Sequence, residues 1–317
     1  MKEIGGFIEF EHYNGQMLHD SAKKLNSGRS AFAYLVETKS IKKIAMPFFM
    51  CDSCDCVLKK YNVQVSYYSI GVDFKPKSLN FDKDDWLYIV NFYGQISNEY
   101  IKALKAIYNN LIVDNVQAYY QMPIKGVDTL YSCRKFFGVA DGAILYTDKN
   151  IERTIYCDKS YSRMNFLLGR FESSASEFYN DYTNNNSLFN NEPIKKMSKL
   201  TENLLRGIDY ETVRTKRTEN FKTLHAVFNS INRLRLDIPD GAFMYPLFVD
   251  NGAELRKHLK KKLIYIPILW PAIFTRCAER CIEYDMAKNI LPLPIDQRYG
   301  ENEMNIISST ILDFLKQ

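Results

Sequence analysis

Residues 20 to 150 alternate short apolar runs with stretches of helical periodicity, and that alternation leaves few folds open. Buried strands of a parallel sheet read as continuous apolar runs, and each parallel neighbour is reached through a crossover, usually a helix. The runs Ile44–Pro47, Val63–Tyr68, Trp86–Asn91, Asn110–Asp114, Asp128–Ser132 and Ala143–Thr147 are the candidate strands. Between the third and fourth, Glu99–Tyr108 spaces its apolar residues three and four apart, which predicts a helix covering one face of the sheet. The class is therefore α/β, a large domain with a mostly parallel mixed sheet flanked by helices.

The pattern changes twice beyond this half. From about 160 to 235 it is helical and richly charged, interrupted by the polar, low-complexity run Asn180–Glu192, which reads as an exposed loop or helix connection. After about 236, Phe243–Phe248, a helix over 252–261 and Leu263–Pro267 suggest a small α+β domain, closed by a helix from Glu303 to Leu315. The implied organisation is an N-terminal segment 1–20, a large α/β domain 21–218 and a small C-terminal α+β domain 219–317.

Bulk composition narrows the function classes. The chain has 317 residues, 46% hydrophobic and 25% charged, which is ordinary for a globular protein with a sizeable core. Its 42 basic and 37 acidic residues leave a net charge of +5, and there is no long basic stripe, so no nucleic-acid partner is expected. The start, Met1-Lys2-Glu3-Ile4, lacks the apolar core of a signal peptide, and no apolar run is long enough to span a membrane. Seven cysteines without disulfide-framework spacing fit a reducing cytoplasm.

Chemistry gathers at the strand ends. In open parallel sheets ligands sit beyond the carboxyl ends of the strands, and the runs ending near 91, 114 and 132 finish in polar residues. Asn91, Asp114, Gln117, Ser132 and Lys135 can thus converge on one crevice. An apolar strand ending in Asp, followed by one ending in Ser-x-x-Lys, is an arrangement that holds pyridoxal phosphate. The lysine bonds to the aldehyde and the carboxylate pairs with the pyridinium nitrogen. Taken alone, Lys135 reads as a surface lysine between a strand and a turn; Ser132 and Asp114 weigh against that reading. Asp114 is also compatible with a helix N-cap. Gln117 can donate to the cofactor's phenolic oxygen only if Asp114 has its role.

Asn26-Ser27-Gly28-Arg29-Ser30-Ala31 resembles a loop entering a helix, whose free N–H groups and dipole favour phosphate. Gly28 permits close approach, and Ser27 and Ser30 add hydroxyls. A plain serine N-cap accounts for the same letters. Cys51, Cys54 and Cys56 offer too few ligands for a closed zinc site, so no metal is expected. They fall in a helical run after Ile44–Pro47, with Cys51 near the crevice. The four histidines form no pattern.

Six segments in order resemble the DegT/DnrJ/StrS family of fold type I PLP-dependent aminotransferases. They are Ser27–Ala31, Pro47–Ser53, Val90–Gln95, Val113–Ala118, Tyr131–Ala143 and Leu291–Tyr299. The resemblance implies the following roles: Lys135 is the Schiff-base lysine, Asp114 the ring-nitrogen partner and Gln117 the phenolic-oxygen partner. Ser30, Ala31 and Ser132 hold phosphate, with Ser27, Gly28 and Arg29 in the same turn. It also implies a homodimer with shared active sites, glutamate as donor and a keto-sugar, nucleotide-linked or a surface-polysaccharide precursor, as acceptor. Three departures stand out: Ser132 lies three residues before Lys135 instead of five, Cys51 falls where members stack an aromatic on the ring, and Ala143 replaces the second Gly. They leave open a catalytically degenerate relative with a binding or assembly role.

Overall fold

A computed structural model describes residues 4–316. Seven strands form the main sheet: β1 (Lys23–Leu25), β2 (Lys43–Pro47), β3 (Gln64–Tyr68), β4 (Trp86–Val90), β5 (Leu111–Asp114), β6 (Asp128–Ser132) and β7 (Ala143–Tyr146). Their order is β1-β7-β6-β5-β4-β2-β3, and only β7 runs against the rest. The six strands read from the sequence are present within a residue or so at each end. The unexpected one is β1, whose two lysines and three-residue length carry no apolar signal.

Helices α1 (Gly28–Thr38), α2 (Asp55–Lys60) and α3 (Asn98–Ile107) connect the early strands. Ser27 caps α1 by accepting from the Ser30 N–H, and Ser97 caps α3 by accepting from the Tyr100 N–H. The apolar stripe of α3 buries Ile101 and Leu104, as its periodicity requires. Beyond β7 follow α4 (Asn165–Glu172), α5 (Tyr179–Leu188), α6 (Lys199–Arg206) and α7 (Tyr210–Phe228). The polar run expected as a loop is thus largely the helix α5. Asn has weak helix propensity, but Asn185 is buried and donates to the Ala140 carbonyl at 2.8 Å, so tertiary contacts fix the helix.

The C-terminal part pairs β8 (Tyr245–Phe248) with β9 (Ile290–Leu293), antiparallel, and adds α8 (Gly252–Lys261), α9 (Ile273–Arg276), α10 (Ile282–Asn289) and α11 (Glu301–Leu315). The partner of β8 is Ile290–Leu293; Leu263–Pro267 forms no strand. A second apolar core here includes Phe221, Leu224, Phe228, Tyr245, Leu291 and Ile311. Helix α7 contributes Val213 to the sheet core and Phe221 to this one, so it runs through the expected boundary at 218–219. No helix among the described residues is long and apolar enough to cross a membrane.

Candidate active site

The sheet register brings the sequence candidates to one edge. Leu25 pairs with Ala143, which pairs with Ser132, while Val90 pairs with Asp114. The segments that follow β1, β2, β4, β5 and β6 therefore share one end of the sheet, where ligands bind in such folds. Two backbone bonds tighten the cluster: the Gly142 N–H donates to the Asn26 carbonyl at 2.6 Å, and the Cys133 N–H to the Gly142 carbonyl at 3.1 Å. Gly142 has φ +119°, and a Cβ there would lie 3.1 Å from the Cys133 Cβ, so the close approach requires glycine.

Asp114 ends β5 and is 7% exposed. Its Oδ2 accepts from the Tyr88 hydroxyl at 2.7 Å and its Oδ1 from the Val116 N–H at 2.9 Å. No helix begins after it, so the N-cap alternative falls away; the bond two residues on is an Asx-type turn. Burial pushes the carboxyl up. The Val116 N–H, the Tyr88 hydroxyl and the Lys135 charge pull it back. Each oxygen keeps a second lone pair, which a cationic ring N–H can use. Buried Gln117 accepts from the Tyr93 N–H at 2.8 Å through Oε1. That contact fixes the amide so that Nε2 remains the donor for a ligand.

Lys135 lies in the turn after β6 and is exposed, with Nζ 5.0 Å from the centre of the Phe243 ring. No carboxylate among the described residues makes an ion pair with it, although its charge reaches Asp114. The site is thus open on the Lys135 side in a single chain. Ser132 is half-buried, and its hydroxyl has no hydrogen-bond partner among the described residues.

The expected phosphate turn differs from its prediction in two respects. The Ser30 hydroxyl donates to Asn26 Oδ1 at 2.6 Å and the Ser27 hydroxyl to the same atom at 3.3 Å, so neither proton faces a ligand. Ala31 cannot contribute an N–H, because its own donates to the Ser27 carbonyl at 3.0 Å and its side chain is fully buried. The first-turn N–H groups of Gly28 and Arg29 have no intrahelical partner. Nothing lies within 4 Å of a Cβ built on Gly28, so the turn is open there. Cys51, half-buried after β2, places Sγ 2.7 Å from the Ser53 hydroxyl. It opens the short turn Asp52–Cys54 ahead of α2.

Several residues were not legible in advance. Asn26 is fully buried and joins both serines to Asp158 and Glu192 through Nδ2 at 3.1 and 3.0 Å. Tyr88 supports Asp114 across two strands. Arg217 on α7 is 2% exposed and donates to the carbonyls of Phe136, Ala242 and Phe243 and to Gln297 Oε1. It thereby fixes the backbone after Lys135 and the ring beneath it. Such contacts join residues distant in sequence, often through main-chain atoms, and leave no pattern in the letters. Two surface cavities, of about 610 and 640 Å³, lie elsewhere; neither is lined by Asp114 or Lys135.

No family model matches the chain, and no curated protein matches it. Solved structures do. It is similar to S. venezuelae DesV in complex with a ketimine intermediate, with a TM-score of 0.66 at 14% identity over 93% of this chain and 85% of that one. A DegT DnrJ EryC1 StrS aminotransferase from Brucella abortus gives a TM-score of 0.62 at 12% identity over 92% and 85%. The sugar aminotransferase CalS13 from Micromonospora echinospora gives 0.61 at 14% over 92% and 87%. These likenesses establish the fold. The chain has the fold type I architecture of these aminotransferases: a mixed seven-stranded sheet flanked by helices.

Proposed function

We propose that the chain is a pyridoxal-phosphate-dependent aminotransferase that transfers an amino group from glutamate to a keto-sugar, a nucleotide-linked or surface-polysaccharide precursor. The observation that carries this is the convergence of Asp114, Gln117 and Lys135 on one sheet edge, in a fold shared with sugar aminotransferases. The residues fit the cofactor. A buried carboxylate raised by burial gains from a cationic partner, a fixed amide offers Nε2, and the Gly28 turn has room for an anion.

When bound, pyridoxal phosphate supplies an electron sink conjugated to the substrate nitrogen. Asp114 would hold a proton on the ring nitrogen by charge, and Tyr88 and Val116 hold Asp114 in place. Gln117 orients the ring through a hydrogen bond. Lys135 Nζ would be the amine that holds the cofactor and, when free, would take up and return a proton. Its exposure in the single chain supports a homodimer whose partner subunit completes the wall, and composition supports a cytoplasmic enzyme.

Purified wild type titrated with pyridoxal phosphate should develop a visible absorption band that borohydride abolishes, with the adduct mapped to Lys135. Lys135→Ala should show no such band. An unchanged band in Lys135→Ala, or none in wild type, would sink the proposal. The engaged hydroxyls of Ser27 and Ser30, together with Cys51, favour as second reading a silent relative that keeps the fold for binding or assembly. Half-transamination with glutamate excludes it.

A further inference from the structure

Cysteine chemistry has no part in the aminotransferase reading, yet two thiols stand three positions apart in Cys51-Asp52-Ser53-Cys54. The motif joins β2 to α2 in a unit whose strands, β2 and β3, pair in parallel. A C-x-x-C pair in a strand–helix–strand unit is a spacing that dithiol chemistry uses. The backbone suits it. Asp52–Cys54 is one turn of 3-10 helix with Cys51 as its N-cap. A single turn brings its first and fourth Cα atoms within about 7 Å, and disulfides bridge roughly 4.4–6.8 Å.

The two thiols differ in what can reach them. Cys51 is half-buried, with Sγ 2.7 Å from the Ser53 hydroxyl. Cys54 is 8% exposed and belongs to the main apolar core. Burial pushes the Cys54 thiol up, and the charge of Cys51 is the largest neighbouring effect on it. Cys54 therefore stays protonated and shielded, while Cys51 is the sulfur that an external reagent meets. Cys56 is turned to the Ser53 carbonyl instead, at 3.3 Å. One side chain also holds the motif from outside. Arg276 donates to the Met50 carbonyl at 3.3 Å and to Asp55 Oδ2 at 2.5 Å, the residues immediately before and after it. Both flanks are thus clamped, and a turn fixed in this way loses little further freedom on closing a bond between its ends.

We propose that Cys51 and Cys54 form a redox site, a dithiol that exchanges with a low-molecular-weight disulfide and closes to an intramolecular disulfide. The Cys51 thiolate attacks one sulfur of the small disulfide and breaks its S–S bond, which gives a mixed disulfide and one released thiol. The Cys54 sulfur then attacks Cys51 Sγ, and the second small thiol leaves. The two cysteines give up two electrons and two protons, and the small disulfide takes up both and departs as two thiols. An excess of reducing thiol reverses the sequence. The motif follows β2, at the sheet end that Asp114 and Lys135 share, so its redox state changes the chemistry of that edge. The exchange needs no cofactor and does not rest on the aminotransferase reading.

The test equilibrates the full-length protein, as purified, in buffers of stepped reduced-to-oxidised glutathione ratio. Samples are quenched by alkylation and read by intact mass and peptide mapping. Wild type should lose the mass of two hydrogens, with the new bond mapped to Cys51 and Cys54, and dithiothreitol should restore both thiols. Cys51→Ser should lose this bond and leave Cys54 unmodified. Cys54→Ser should stop halfway, so that one glutathione stays on Cys51. Cys54→Ala takes its place should the serine variant not fold. Mapping separates these products from adducts on exposed Cys157. The proposal is overturned if both cysteines of wild type remain thiols, or if Cys51 stops at the mixed disulfide. A bond from either cysteine to Cys56, Cys277 or Cys281 overturns it as well.

Discussion

Arg217 and Arg134 are the same side chain under similar pressure, one bound to the residue after Lys135 and the other its neighbour in the chain. Each stacks on a phenylalanine, Arg217 on Phe136 at 4.7 Å and Arg134 on Phe189 at 4.8 Å. Burial lowers both to about 10. They differ in what their donors meet. Arg217 makes four hydrogen bonds to three carbonyls and the Gln297 amide, and Gln297 in turn donates to the Phe136 carbonyl at 2.8 Å. Arg134 has Asn186 and an orphaned Nε. Folding completes the surroundings of one arginine and leaves the other incomplete. The first is structural, holding the turn after Lys135 against Phe243; the second keeps a buried donor without a partner among the described residues.

Truncating the two arginines alike separates these roles. Arg217→Met strands several carbonyls that now accept from it, and removing one side of a buried polar network costs about 3–5 kcal/mol. Chemical denaturation should show that loss. Arg134→Met removes a buried charge without a carboxylate partner, so in phosphate-free buffer its stability should stay within about 1 kcal/mol of wild type or rise. Similar large losses in both variants would break the comparison and make Arg134 a structural residue.

Asp114 sharpens the contrast from the acidic side. Its carboxyl is raised by burial, so the folded state holds that proton more tightly than the unfolded chain. The sign follows: below the unfolded value, 3.8, the group is neutral in both states and costs nothing. As pH rises through the raised folded value the penalty develops, and it persists at neutral pH. In Asp114→Asn, Oδ1 can still accept from Val116, and the Tyr88 hydroxyl can accept from the new amide. The cofactor-free variant should therefore melt higher than wild type at pH 7, by roughly 2–4 °C for each ~1 kcal/mol recovered, and the two should converge toward pH 4. Transamination should fall by about 10²–10³-fold through loss of the charge at the ring nitrogen. A variant less stable than wild type at pH 7 means that the Tyr88 bond outweighs the burial.

What was legible in the sequence follows the physical origin of each feature. The apolar runs from Ile44 to Thr147 revealed the sheet because both its faces are covered, and burial writes itself into composition. Asp114, Gln117 and Lys135 could be named as candidates because short strand-end motifs carry their order along the chain. The register that unites them was not, since it depends on pairings such as Leu25 with Ala143 and Val90 with Asp114. Helix α5 was hidden because its Asn-rich letters favour loops, while its buried contacts, Asn185 to Ala140 and Asn186 to Arg134, lie elsewhere in the fold. Ala31 was misassigned for a local reason. The first α-helical bond takes its N–H, so the free donors sit at Gly28 and Arg29.

Cys51 carries the smallest effect and bears on the same division between finished and unfinished parts. It is half-buried, its Sγ engaged with Ser53, at the sheet edge where a stacking aromatic is expected from the family resemblance. If a ring lies over this position, Cys51→Phe adds an aromatic face worth about 0.5–1.5 kcal/mol. Titration should then show affinity for pyridoxal phosphate and for pyridoxal rising together, by up to about tenfold. That parallel gain marks a contact with the ring, because pyridoxal lacks the phosphate. Weaker binding of both ligands would mean that Phe fills space the ring needs, and that the chain has a shorter, sulfur-lined slot in place of a stacking one.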